Sequence, residues 1–186
     1  MGRTCYFDSM KLPPLLQTNK MIVICSPSAA REQVAALTAE LALCGSVTVL
    51  DGGNRFPAYQ IMRMLRRRTP NLLPTANRIF LRRAFTCHQM LALLESTPSL
   101  HHPYLILDLL ATFHDENVPT AEVGRLLDRC LAQLDRLRLD APVMISLAPP
   151  HPQAERLFLF ERVCSRGDQM LQIEIPYPLV TQPSLF

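Results

Sequence analysis

The sequence predicts a three-layer α/β domain built around a mostly parallel sheet. Three observations carry that prediction. Short apolar runs alternate with amphipathic stretches over about 150 residues, the pattern of strands joined by crossover helices. One run, Pro103 to Leu110 (PYLILDLL), is almost continuously apolar, as in a strand buried on both faces. The chain has 186 residues, 48% hydrophobic and 19% charged, which suits one core of ordinary domain size and excludes global disorder.

Residues 1–20 carry Pro13-Pro14 in a mixed composition and read as an arm without regular structure; the domain proper spans 21–175. Met21 to Cys25 (MIVIC) is a short run rich in β-branched residues, hence a buried strand. Ser26 as N-cap with Pro27 at the first helical position opens a helix over Ala29 to Leu43, and Gly45 stops it. Val47 to Leu50 is a second strand, ending in the turn Asp51-Gly52-Gly53-Asn54. Pro57 opens a helix to about Arg68, and Pro70 and Pro74 break the chain. Arg78 to Arg82 gives a third strand. Thr86-Cys87-His88-Gln89 has capping-box spacing for a helix that runs to Leu94.

After the Pro103–Leu110 strand comes an amphipathic helix, Ala121 to Leu137, with Val123, Leu126, Leu127, Cys130, Leu131 and Leu134 on one stripe. Val143 to Leu147 is a fifth strand, Gln153 to Val163 a last helix and Met170 to Ile175 a last strand. Residues 176–186 form an extended, proline-containing tail. No internal repeat is visible.

Composition excludes several functions. The six glycines (2, 45, 52, 53, 124 and 167) cannot spell a dinucleotide fingerprint, and none precedes Lys11 or Lys20, so no Walker A loop exists. The six cysteines form no C-x-x-C pair, which removes zinc-ribbon spacing and fits a reduced chain. Neither a signal peptide nor a run of membrane-helix length is present. The expectation is a cytoplasmic protein with no membrane partner.

In parallel sheets ligands bind beyond the carboxyl ends of the strands, here Ser26-Pro27-Ser28, Asp51-Gly52-Gly53, Arg83 to Thr86, Asp108 and Ser146. Three segments carry a resemblance: Val49 to Phe56 (VLDGGNRF), Arg83 to Met90 (RAFTCHQM) with Leu93-Leu94-Glu95, and Leu105 to Asp108 (LILD) with Ala111 to Glu116. In that order and spacing they resemble the ATPase core of the RecA/RadA recombinases, over residues 21–148.

The resemblance implies a RecA-like αβα fold, with Asp108 at the Walker B position and a vestigial nucleotide site at Ser26, Ser28, Arg31, Asp51 and Asp108. Where that family has its phosphate loop, this chain has Cys25 to Arg31 without glycine or lysine. Pro27 also removes a donor that such a loop needs. Gly52 or Gly53 stands where the catalytic glutamate is expected. The implied function is therefore a non-hydrolysing accessory protein of DNA recombination or repair, with no catalytic residue, no metal and no cofactor beyond weak Mg-ATP binding. Its partner would be a recombinase-like or other protein, or DNA. The alternatives are an ATPase with a non-standard phosphate loop around Ser26 to Arg31, and a pure protein-interaction module.

Among 17 arginines, seven fall within residues 63–83. Arg63, Arg66, Arg67 and Arg68, at helical spacing, are the candidate nucleic-acid contacts. No aromatic residue interleaves the cluster, so base stacking is not expected there. Cys87-His88 lacks a third, orienting group and reads as a cap spacer. His101, His102, His114, Asp115 and Glu116 lack metal-ligand spacing and read as solvated loop residues.

Overall fold

The structure is a computed structural model that describes residues 19–114, 117–150 and 155–173. The expected arm (all but residues 19 and 20), Asp115, Glu116, the start of the last expected helix at Gln153, residues 174–175 and the tail lie outside the described residues.

Six strands form one sheet, β1 (Met21–Cys25), β2 (Val47–Asp51), β3 (Ile79–Arg83), β4 (Tyr104–Leu107), β5 (Val143–Leu147) and β6 (Gln169–Gln172). Their spatial order is β3-β2-β4-β5-β1-β6, and every pairing is parallel. The helices are α1 (Arg31–Cys44), α2 (Ala58–Arg66), α3 (Leu72–Ala76), α4 (Cys87–Glu95), α5 (Thr120–Arg138) and α6 (Leu157–Arg166).

Alternation along the strands sorts the core into two faces. Met21, Val23, Tyr104, Ile106, Val143 and Ile145 pack with the apolar stripes of α4, α5 and α6. Ile22, Ile24, Val47, Val49, Leu105 and Met144 pack with α1. Helix α2 then packs on α1 through Ile61 and Leu65 against Ala35, Ala39 and Ala42. The result is the three-layer αβα arrangement that the alternating pattern predicts.

The central strands β1, β2, β4 and β5 are buried throughout, as near-continuous apolar runs require. The edge strand β3 is largely exposed. The cap of α4 forms as its spacing predicts: Thr86 accepts from the Gln89 N–H at 3.2 Å. Gln89 in turn reaches the Phe85 N–H, one residue earlier than in an ideal capping box.

Four boundaries differ from the sequence reading. The turn Pro27–Ala30 is not the first turn of α1, because Ser28, Ala29 and Ala30 hold φ of 59°, 51° and 56°. These are left-handed values that α-helix cannot contain, so α1 starts at Arg31 and Ser26 makes no side-chain cap. Pro74 lies inside the short helix α3 rather than ending the chain's regularity. It is tolerated there because first-turn N–H groups have no intrahelical partner. Strand β4 ends at Leu107, where Asp108 turns left-handed (φ 47°) into a 3-10 turn over Leu109–Phe113. Strand β6 begins at Gln169, earlier than its apolar residues suggest.

Cys25, Cys87, Cys130 and Cys164 are not disulfide-bonded, whereas Cys44 is, so the expectation of a fully reduced chain fails at that residue. Burial pushes the Cys130 thiol up to about 12. Among the described residues no helix is long and apolar enough to cross a membrane.

Candidate functional site

Parallel pairing places the carboxyl ends of all six strands on one rim, and a shallow open cleft with about 10 Å³ of water-sized space lies there. The turn after β1 supplies Ser28 and Ala29, the first turn of α1 supplies Arg31 and Val34, the loop after β2 supplies Arg55 and Pro57, and β4 and β5 supply Asp108 and Ser146. Three of the expected site residues, Ser28, Arg31 and Asp108, therefore converge. Ser26 and Asp51 lie on the same rim but do not line the cleft. Ser26 is buried, and its Oγ has no hydrogen-bond partner among the described residues.

Asp51 is fully buried at the end of β2 and saturated by neighbours. Its carboxylate accepts from the Arg55 and Phe56 N–H groups, each at 3.1 Å, and from Arg83 Nε at 3.0 Å. Asn54, at φ 52°, makes the reversal that presents those two N–H groups. A buried carboxylate needs such partners, since its desolvation is otherwise prohibitive. Asp51 is therefore a structural brace of the β2–α2 loop and not a free base.

Asp108 is 8% exposed at its side chain and lies 3.7 Å from Arg55 Nε. Its backbone N–H donates to Ser146 Oγ at 3.1 Å, tying β4 to β5. Burial raises its carboxyl pKa above the ordinary Asp value, against the opposing pull of Arg55, His114 and the Ala148 N–H. The Gly52-Gly53 turn packs directly on this residue. A Cβ on Gly53 would stand 2.7 Å from Asp108 Oδ2 and 2.8 Å from its Cβ. One on Gly52 would stand 2.8 Å from Met90 Cε and 3.0 Å from the Asp108 carbonyl. A side chain at either position would force Met90 or Asp108 to shift, so these glycines answer to close approach rather than to backbone angle.

Two donors that a phosphate loop would use are missing from the turn: Pro27 has no N–H, and the Ala29 N–H already donates to the Ser26 carbonyl at 3.0 Å. Among the described residues no group of three His, Cys, Asp or Glu side chains could hold a metal ion.

The α2 arginines are exposed as expected, but not equivalent. Arg68 pairs with Glu40 of α1, while Arg63, Arg66 and Arg67 have no ion pair among the described residues. The expectation that no aromatic interleaves the arginines fails at Phe80, 51% exposed between Arg78 and Arg82, and Tyr59, on α2 itself, stands 78% exposed one turn before Arg63. Helical spacing from Tyr59 to Arg63 and Arg66 was the signal that could have found it.

Two rejected clusters also change. A third group does stand beside Cys87-His88: His88 Nε2 lies 3.0 Å from Glu122 Oε1, and Cys87 Sγ lies 3.6 Å from His88 Nδ1. The sulfur is nonetheless core, only 1% exposed, and presents nothing to a substrate. His102 is not a solvated loop residue. It bonds Thr48 Oγ1 at 2.8 Å and stacks on Phe80, and burial lowers its pKa.

No family model and no curated protein matches this chain. Its chemistry is read from the rim itself. The residue that sequence reasoning missed is Arg55, which closes over Asp108 from a loop with no periodic pattern to flag it.

Proposed function

We propose that this chain is a non-hydrolysing accessory protein of DNA recombination or repair, built on the RecA-like plan and acting by binding a protein partner or DNA. The observation that carries the non-hydrolysing part is the engagement of both rim carboxylates. Water activation needs a carboxylate that is free, correctly placed and able to take a proton. Asp51 is consumed by three donors, and Asp108 is covered by Arg55 and the Gly53 backbone. At Gly52 and Gly53, where the resemblance expects a catalytic glutamate, no carboxylate is present, and a side chain there would have to displace Met90 or Asp108.

The RecA-like part is supported by placement. The segments of the resemblance fall at the ends of β2, β3 and β4, which lie on one rim of the parallel sheet, and two of them, through Arg55 and Asp108, line the cleft. The DNA part is supported by the unpaired arginines of α2.

A second reading, an ATPase with a non-standard loop, draws on one observation: Arg31 opens α1 and lines the cleft with Asp108. Phosphate release from Mg-ATP separates the two. The proposal expects no release above the buffer blank. Turnover that is lost on Asp108→Ala would reverse the reading in favour of the ATPase.

A further inference from the structure

Charge is distributed very unevenly along this chain. Between Asp51 and Glu95 there are eight arginines and no carboxylate, although the whole protein carries only +3. The remainder is therefore net acidic, and the positive charge is concentrated on the β2–β3 side of the fold. Three of those arginines are neutralised at once: Arg55 by Asp108, Arg83 by Asp51 and Arg68 by Glu40. Arg78 donates to the Ala42 and Leu43 carbonyls, and Arg82 to Ser96 and Thr97 hydroxyls. Arg63, Arg66 and Arg67 remain, exposed on α2 and its final turn, with no carboxylate beside them among the described residues.

Tyr59 heads the same stripe. Positions 59, 63 and 66 follow the i, i+4, i+7 spacing of one helical face. The opposite face, Ile61 and Leu65, is sealed against α1. At 1.5 Å per residue the row from Tyr59 to Arg66 is about 10 Å long. A large aromatic ring left almost wholly in water beside unpaired guanidinium groups has no packing role to explain it.

We propose that this face of α2 binds single-stranded nucleic acid, with phosphates on Arg63, Arg66 and Arg67 and a base stacked on Tyr59. The inference rests on the DNA arm of the proposed function and narrows it. Unstacked bases offer their faces to an aromatic ring, whereas the bases of a duplex are already stacked on each other. Guanidinium groups suit the phosphates because their planar fork matches phosphate oxygens and they are weakly hydrated.

The test is fluorescence anisotropy on the full chain with three labelled probes: oligothymidylate, an abasic strand of equal phosphate number, and a duplex. Oligothymidylate is expected to bind tightest. Tyr59→Ala should weaken it about 5- to 100-fold and leave the abasic strand unchanged, while Tyr59→Phe keeps the affinity. Arg63→Gln and Arg66→Gln should weaken the strand probes alike, each flattening the dependence of log K on log salt by about 0.7. Both positions are solvent-facing, so unchanged melting curves are expected for every variant. Duplex binding as tight as that of oligothymidylate, or no effect of Tyr59→Ala, overturns this inference and leaves the DNA arm standing. Failure of all three probes to bind overturns both, and leaves only the protein-partner arm.

Discussion

Replacing Gly53 by alanine probes the contact between the β2 turn and Asp108 directly. The added methyl would stand 2.7 Å from Asp108 Oδ2, 2.8 Å from its Cβ and 3.1 Å from its Cγ. Asp108 has little freedom to retreat, since its N–H is held by Ser146 and its backbone is already left-handed. Overpacking of this kind costs about 1–3 kcal/mol. The restricted unfolded chain of an alanine variant returns about 0.4–1 kcal/mol. The net expectation is a loss of up to about 2.6 kcal/mol, or up to about 10 °C in melting temperature for a chain of this length. Circular dichroism melts and urea titrations measure it. The decisive comparison is Gly53→Ala in an Asp108→Gly background, which removes the atoms struck and relieves the left-handed strain. The two substitutions should couple by more than about 0.5 kcal/mol, with Gly53→Ala costing less in the double variant. Strict additivity would refute the claim that Asp108 occupies the space beside Gly53.

Two other substitutions test neighbouring parts of the rim. Ser28 is exposed at φ 59°, so Ser28→Gly should remove left-handed strain and raise stability by up to about 1 kcal/mol; a clear loss by thermal melt would contradict the turn. Asp108 has a raised folded-state pKa, so what its protonated form contributes is present below the unfolded value of about 3.9 and is lost as pH rises through the folded value. Asp108→Asn removes that penalty in a residue type that accepts left-handed backbone. Its stability should equal or exceed the parent's at pH 7, by between zero and about 1 kcal/mol, with the advantage shrinking toward pH 4. A variant less stable at pH 7 than at pH 4, relative to the parent, would show that the Arg55 pair outweighs desolvation.

The strands were legible because each is a short apolar run whose two faces both find helices, as Ile22 and Val23 do on opposite sides of β1. Helix α5 was legible because its stripe is long and regular. The start of α1 was not. Ser26-Pro27 is a good helix opening by local rules, and no sequence rule favours three left-handed residues without glycine. Helix α3 was hidden because Pro74 reads as a breaker until its place in a first turn is known.

At the site, Asp51 and Asp108 were identifiable as strand-end carboxylates, but their partners were not. Arg55 and Arg83 reach them across the loop and the sheet, which no local pattern records. Gly52 and Gly53 read as a missing glutamate in the sequence. In the fold they are close contacts between the β2 turn and the end of β4.

A thermal-shift titration of the full chain with Mg-ATP is the most direct test of the claim that both rim carboxylates are already engaged. Binding to the native state alone would add about 2.7 kcal/mol of stability when ATP is 100 times its Kd. A melting temperature that stays flat through that range is the expected result. A rise that disappears on Asp108→Ala would contradict it, and would mean that Arg55 releases Asp108 to a nucleotide.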